Sequence, residues 1–497
     1  MQKARIINFA KRYRVAVLLT SAFIARLVFL GLRPLDGDEG VVIKIANSAG
    51  LPDLWTNIAK DVHPPLFHLL QFSFQRIFPD GEFYLRLLPA ILGGVTIYFI
   101  YLFFRSQVNE RTATVVATLS IFSPVLSYHS AEVRPYPLLA LLFFVSLHLL
   151  MKSIQTNKAS DWTWYGIVSL LLLLTQYIGF IIIFAQLAYL VIYKRKHLGR
   201  FIVASILSLL AFFAIWGGQF IDQVTGRLSE QSQALSISGN LTGLVNFFYR
   251  LGSGRLFLDL DPSPANQISF LQSAPILYVL FLLSVIIPLV LFIIGIVKYT
   301  RGRKSVRVLN VVCIILLITA VFSSEIGPKT VRYYLFLSPV YIFILVSALQ
   351  SSGRTVKVLF GIFLPIYLSA FVYGVYFERA KPGVDAFAQY ISQGANEGDK
   401  ILVKGGFGGG ESYVLRYYLI NPSKYEIVDF FESYKAGNLS ELRDKATVDF
   451  IKDNQGGQTV YFYNMTYEDL DLSIFQRVEM IDLGTDKEGK ELTLYRF

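Results

Sequence analysis

The sequence predicts a polytopic α-helical membrane protein of about eleven spans with a small C-terminal extracytoplasmic α/β domain. Three observations predict it. Of the 497 residues, 54% are hydrophobic and 16% charged, well under the roughly 25% charged expected of a soluble domain. Apolar runs long enough to cross a bilayer recur through residues 1–379. The charge is also unevenly divided: residues 1–379 hold 33 Lys+Arg against 16 Asp+Glu, and residues 380–497 hold 13 against 19. The net +11 therefore belongs to the apolar part, where it reports membrane topology, and nucleic acid is not expected as a partner.

A span needs about 20 mostly apolar residues, because only a helix satisfies its own backbone hydrogen bonds in hydrocarbon. Such runs lie near 15–32, 86–104, 112–127, 135–151, 199–217, 273–297, 307–322, 333–350 and 356–377. The stretch from Trp164 to Tyr193 is interrupted by Thr175, Gln176 and Tyr177 and reads as two short helices meeting at a tight turn. The first run, after Lys11, Arg12 and Arg14, lacks a small-residue cleavage site and is expected to be a retained span. Cys313 is the sole cysteine, which rules out an intramolecular disulfide.

Alternate segments (1–14, 105–111, 152–162, 194–200, 298–307 and 351–357) carry 20 Lys+Arg and two acids, Glu110 and Asp161. The positive-inside bias makes these cytoplasmic. The N-terminus is then cytoplasmic, and 33–85, 128–134, 218–272, 323–332 and the tail face outward from a plasma (inner) membrane. The expected division is a membrane domain over 1–379, with outer loops 33–85 and 218–272, and an extracytoplasmic domain over 380–497. Loop 33–85 alternates charge with apolar stretches too short to span, which suggests interfacial amphipathic helices. Loop 218–272 is polar and could serve as a lid. In the tail, the pattern predicts helices at Asp385 to Ser392 and Ser412 to Leu419. Strands are predicted at Lys400 to Lys404, Tyr425 to Asp429, Thr459 to Tyr463 and Leu492 to Arg496.

The candidate site residues lie on the outer face. Asp36-Gly-Asp38-Glu39-Gly follows the first span; three carboxylates beside low dielectric fit a poised base, a divalent-cation site or a solvated turn. No cofactor is assigned, and a divalent metal is possible but not required. His63-Pro-Pro-Leu holds a histidine rigidly beside the membrane. Glu132 and Arg134 enter a span in Glu132-Val-Arg134-Pro-Tyr136, either lining a cavity or pairing with each other. Lys329 and Arg332 precede another span, where they suit an anionic ligand such as a lipid phosphate or act as interfacial anchors. Arg26, Asp259 and Asp261 have no spacing that assigns a role. Gly405 to Gly410 lacks the patterns of a nucleotide site.

In this order, His63-Pro-Pro-Leu, Leu85-Arg86-Leu-Leu-Pro89, Ser123-Pro124, Glu132-Val-Arg134-Pro-Tyr136 and Arg332-Tyr-Tyr-Leu-Phe-Leu-Ser-Pro339 resemble the GT-C superfamily of membrane glycosyltransferases. Within it, they are similar to the dolichyl-phosphate-mannose protein mannosyltransferases and the lipid A aminoarabinose transferases. The match is best from His63 through Leu150, and beyond it is mostly hydropathy. The resemblance implies a GT-C-like fold, a polyprenyl-phosphate sugar donor and inversion at the anomeric carbon. The acceptor it implies is an extracytoplasmic lipid, glycan or protein. It makes Asp38 and Glu39 the catalytic acids, with Asp38 as base and Asp36 two residues before the usual pair. Arg134, Arg332 and Lys329 would bind the donor phosphate, and Asp36, His63, Glu132 and Tyr136 would position the acceptor or the loop. A transporter of lipid-linked precursors would need charged or broken helices near the midplane, and apart from Arg26 the ionisable groups lie at one face. A scaffold would leave the outer motifs unexplained.

Overall fold

A computed structural model describes residues 2–28, 30–230, 247–254, 275–301, 306–322, 331–350, 353–377, 384–404, 410–429, 449, 451–453, 459–464, 479–485 and 491–496. By internal contacts the chain divides into two compact units. One comprises Met1–Leu30, Ile58–Leu70 and Arg86–Val375, and the other Gly31–Asn57, Gln71–Leu85 and Tyr376–Phe497.

The first unit is a helical bundle. Six helical stretches among the described residues are long and apolar enough to cross a membrane: Leu87–Gln107, Tyr136–Thr156, Arg195–Thr225, Tyr278–Lys298, Val331–Leu349 and Arg354–Val375. Ile178–Tyr193 and Arg307–Leu316 are apolar but shorter. The chain is a multi-pass membrane protein. Its central helices bury most of their side chains, whereas Arg195–Thr225 and Tyr278–Lys298 leave Ile202, Val203, Leu207, Leu210, Ile286 and Ile293 outward. A rim of this kind suits hydrocarbon rather than water.

Two breaks shape the bundle. The interrupted segment forms Ala159–Leu173 and Ile178–Tyr193, with the turn at the Thr175-Gln176-Tyr177 notch. The run at 112–127, expected as one span, is instead Glu110–Ile121 followed by Pro124–His129. Ser123 stops the first helix and caps the second, accepting from the Leu126 N–H at 3.3 Å, and Pro124 occupies the first turn, where its missing N–H costs nothing. A 12-residue helix reaches about 18 Å, short of a bilayer core.

The second unit contains a five-stranded sheet in the order β2-β1-β3-β5-β4. The strands are β1 (Lys400–Lys404), β2 (Glu426–Asp429), β3 (Val460–Asn464), β4 (Glu479–Thr485) and β5 (Glu491–Arg496). β1 pairs in parallel with β2 and β3, while β5 runs antiparallel to β3 and β4. Ile401, Leu402 and Val403 of the inner strand β1 are fully buried, the pattern of a parallel strand covered on both faces. Helices Val384–Gly394 and Gly410–Tyr418 complete it near the expected boundaries, and β4 was not anticipated. The segment 31–57 contributes helix Gly37–Ala46 and most of helix Leu51–Ala59. Lys329, Asp259, Asp261, Gly405 to Gly409 and most of loop 218–272 lie outside the described residues.

Candidate active site

In the bundle, the candidate residues gather around one aromatic ring. Tyr136 opens the Tyr136–Thr156 helix and is fully buried. The Arg134 guanidinium lies 5.8 Å from its ring centroid and that of Arg332 5.7 Å, within the range of cation–π attraction. Arg332 also lies 5.8 Å from the Tyr333 ring, which meets Tyr136 edge-on at 5.6 Å. His63 and His129 approach the Tyr136 ring from other sides, at 6.4 and 6.0 Å. The sequence motifs carrying Arg134, Arg332 and His63 thus converge, although Arg134 and Arg332 are almost two hundred positions apart.

Buried serines hold this convergence in place. Ser123 and Ser338, the first residues of two Ser-Pro pairs, share a hydrogen bond of 2.8 Å. Ser123 starts the helix that ends at His129, and Ser338 starts Ser338–Gln350, immediately after the 3-10 turn carrying Arg332. Glu132 holds His129 through its Oε2 at 2.7 Å from Nδ1. Arg86, from the motif Leu85-Arg86-Leu-Leu-Pro89, is completely buried and donates to the Leu30 carbonyl at 3.4 Å, a structural role.

His63 belongs to a triad that the sequence did not reveal. His63 Nδ1 and His68 Nε2 both donate to Asp61 Oδ2, at 3.1 and 2.8 Å. Burial tends to raise the Asp61 carboxyl, but the two imidazoles outweigh it and hold the group well below the usual carboxylate range. Burial lowers the His63 imidazole; Asp61 opposes this, and the nearby Arg134 charge adds to the lowering. His63 is therefore neutral at pH 7, with Asp61 fixing its tautomer. The polar notch secures this loop: Leu66 N–H donates to Leu174 O at 2.9 Å, Trp216 Nε1 to Tyr177 Oη at 3.0 Å, and Gln223 bridges Tyr177 and Asp61 O.

In the second unit, the acidic motif proves to be a helix start. Asp36 is the N-cap of Gly37–Ala46, accepting from the Glu39 N–H at 2.9 Å, while Glu39 Oε2 accepts from the Asp36 N–H at 3.3 Å in a reciprocal capping box. The Glu39 side chain is fully buried, and Arg33 donates to it at 2.9 Å. Arg33 also lies 3.4 Å from Asp36. Asp38 points outward, exposed on the first turn of the helix. The three carboxylates thus differ in kind: one caps, one is buried in an ion pair and one is presented to solvent. Among the described residues, no group of three or more His, Cys, Asp or Glu side chains could hold a metal ion.

Residues 62–216 match the family model described as dolichyl-phosphate-mannose-protein mannosyltransferase. Among solved structures, ArnT from Cupriavidus metallidurans in the apo state superposes with a TM-score of 0.59 at 14% identity, covering 98% of each chain. Its complex with undecaprenyl phosphate gives 0.55 at 14% identity over 97% of each. Oligosaccharyltransferase from Archaeoglobus fulgidus, tethered to an acceptor peptide with an NVT sequon, gives 0.52 at 14% over 91% of this chain and 69% of that one. The fold is shared with ArnT and with the archaeal oligosaccharyltransferase. The likeness to ArnT spans nearly the whole chain, whereas the family model covers His63 and Arg134 but not Arg332. No curated protein sequence matches the chain.

Proposed function

We propose that this protein is a membrane glycosyltransferase that moves a sugar from a polyprenyl-phosphate donor to an acceptor hydroxyl on the extracytoplasmic side, with inversion. Asp38 removes the proton from the acceptor hydroxyl as its oxygen attacks the anomeric carbon. The bond from that carbon to the phosphate oxygen breaks, and polyprenyl phosphate leaves with its charge held by Arg134 and Arg332. Lys329 is assigned to the same phosphate. The observation that carries this reading is the convergence of Arg134 and Arg332 on Tyr136 at the start of a membrane helix. Two planar guanidinium forks on one ring suit the oxygens of a phosphate, and the start of a long helix adds a favourable dipole. The apolar bundle gives the donor's prenyl chain a solvent, and the GT-C structure crystallised with undecaprenyl phosphate supports that class of donor.

Within this reading, Glu39 positions rather than reacts, because its carboxylate is buried against Arg33. Asp36 holds the helix start, and His63 and Glu132 pack the phosphate pocket around Tyr136. The N-terminus is placed in the cytoplasm. Residues 1–379 are assigned to the membrane domain and 380–497 to the extracytoplasmic domain. The test is binding of undecaprenyl phosphate to the purified protein, followed by mass spectrometry of surface glycolipids, glycans and glycoproteins in a host lacking the gene. Arg134→Ala and Arg332→Ala should each weaken undecaprenyl phosphate binding, and neither should restore the missing product. Parent-level binding in both variants would remove the phosphate assignment.

A further inference from the structure

The C-terminal part of the chain, from residue 384 onward, has no role in the transfer just described, and its glycine-rich run matched no nucleotide motif. The contacts within the second unit suggest its purpose. Gly410 ends that run and starts the Gly410–Tyr418 helix, which meets the Gly37–Ala46 helix backbone to backbone. A Cβ on Gly410 would stand 1.9 Å from Gly37 O, and one on Gly40 would stand 2.3 Å from Gly410 O. Both obstacles are main chain, so neither can move aside cheaply. Only glycine permits this approach.

Polar contacts continue along the helix at Tyr413 and Tyr418. Asn47, just past the end of the acidic helix, donates to the Tyr413 hydroxyl. The Leu35 N–H, just before its start, donates to the Tyr418 hydroxyl at 2.7 Å, and that hydroxyl donates to Glu82 at 2.6 Å. The clamp helix is itself tied to the sheet, since Arg416 donates to Ile427 O of β2 at 3.0 Å. The acidic helix is thus gripped at both ends and at its middle, while Asp38 stays on the exposed side of its first turn.

We infer that the Gly410–Tyr418 helix is the positioning element for the catalytic base, with Gly410, Tyr413 and Tyr418 as positioning residues that fix where Asp38 is presented. This rests on Asp38 being the base. The place of an acid on a helix of ten residues is set by what holds that helix, and misplacing a reacting group by about 1 Å can cost on the order of a hundredfold in rate.

The experiment uses the full-length protein in lipid nanodiscs, with Gly40→Ala, Gly410→Ala, Tyr418→Phe and Gly37→Ala compared with the parent. Three quantities are read: amide hydrogen exchange over 37–46, undecaprenyl phosphate affinity, and glycan product in a complemented deletion host. Gly40→Ala and Gly410→Ala should speed exchange over 37–46 and lower product by about a hundredfold while undecaprenyl phosphate affinity stays at the parent level. Tyr418→Phe should do the same to a smaller degree, about tenfold. A Cβ on Gly37 meets only side-chain atoms, the Oε1, Cδ and Cγ of Glu411, so Gly37→Ala should disturb exchange and product less than Gly410→Ala does. Exchange at the parent level in both Gly410→Ala and Tyr418→Phe would overturn the inference, as would loss of undecaprenyl phosphate affinity in step with product. If Gly410→Ala does not insert, Tyr418→Phe decides alone. Exchange that responds as expected in a protein whose Asp38→Asn variant keeps full activity would refute the base and leave the clamp standing.

Discussion

The cationic cluster of the bundle and the acidic cluster of the Gly37–Ala46 helix look alike in sequence, as charges set beside apolar runs, yet they are built by opposite means. Arg134 and Arg332 come from distant segments and are drawn to one ring by packing and a shared serine hydrogen bond. Asp36, Asp38 and Glu39 come from four consecutive residues and are separated by the start of a helix, which turns Asp36 into the cap, Glu39 inward and Asp38 outward. Tertiary packing gathers the cations, and local helix geometry sorts the acids. Charge density alone therefore does not identify a reacting group; its place relative to the helix start does.

That contrast predicts a graded set of effects. The largest belongs to the cations: Arg134→Ala and Arg332→Ala should each lower transfer by about 10²–10³-fold, the scale for removing one preorganised charge-stabilising donor. Lysine in either place should recover only part, because it lacks the planar fork. Both are read by product analysis in a complemented host. Next comes Glu39→Gln, which removes the nearer of the two carboxylates beside the buried Arg33 and should cost about 1–3 kcal/mol of stability, measured as a lowered melting temperature. An unchanged melting temperature would mean that Glu39 is not held as described. The Asp36 cap predicts less: Asp36→Ala should cost about 1 kcal/mol and Asp36→Asn almost nothing, since asparagine caps equally well. Asp38→Ala should leave stability unchanged, as exposed positions outside caps usually do.

The smallest effect is a pH dependence in the His63 triad. His63 has a folded-state pKa below its unfolded value, so the stability it contributes is complete above about 6.5 and declines as pH falls from there toward the folded pKa. Asp61 acts in the same direction at lower pH, its contribution being lost as pH falls below the unfolded carboxyl value. Melting temperature should therefore decline from pH 7 to pH 5, and His63→Gln should flatten that slope. A steeper slope in the variant would contradict the assignment of a neutral His63.

Much of the fold was legible because hydrocarbon imposes a strong rule on sequence: every apolar run found a helix, and the polar notch at Thr175 to Tyr177 found its turn. The run at 112–127 was misread because its hydropathy is continuous across Ser123-Pro124, while the backbone obeys the cap and the proline. β4 was missed because Glu479–Thr485 has acids and a glycine among its apolar residues and only one pairing neighbour, β5. For the candidate site, residue types were visible and partnerships were not. Arg33 gave a usable signal, three residues before Asp36, once a helix start at Gly37 is supposed. Asp61 and His68 flank His63-Pro-Pro closely enough to invite the triad. Tyr136 as the shared ring, Tyr333 beside it, and the grip of Tyr413 and Tyr418 on the acidic helix required tertiary structure.

The central claim is that Asp38 alone among the three acids reacts, and Asp38→Asn tests it most directly, because the change removes the charge and keeps the shape. The measurement is glycan product in a deletion host complemented with the variant, alongside its melting temperature and undecaprenyl phosphate affinity. The account predicts no product, with both other quantities at the parent level. Full product from Asp38→Asn would contradict it, and an inactive, stable Asp36→Asn in the same host would move the base to the cap.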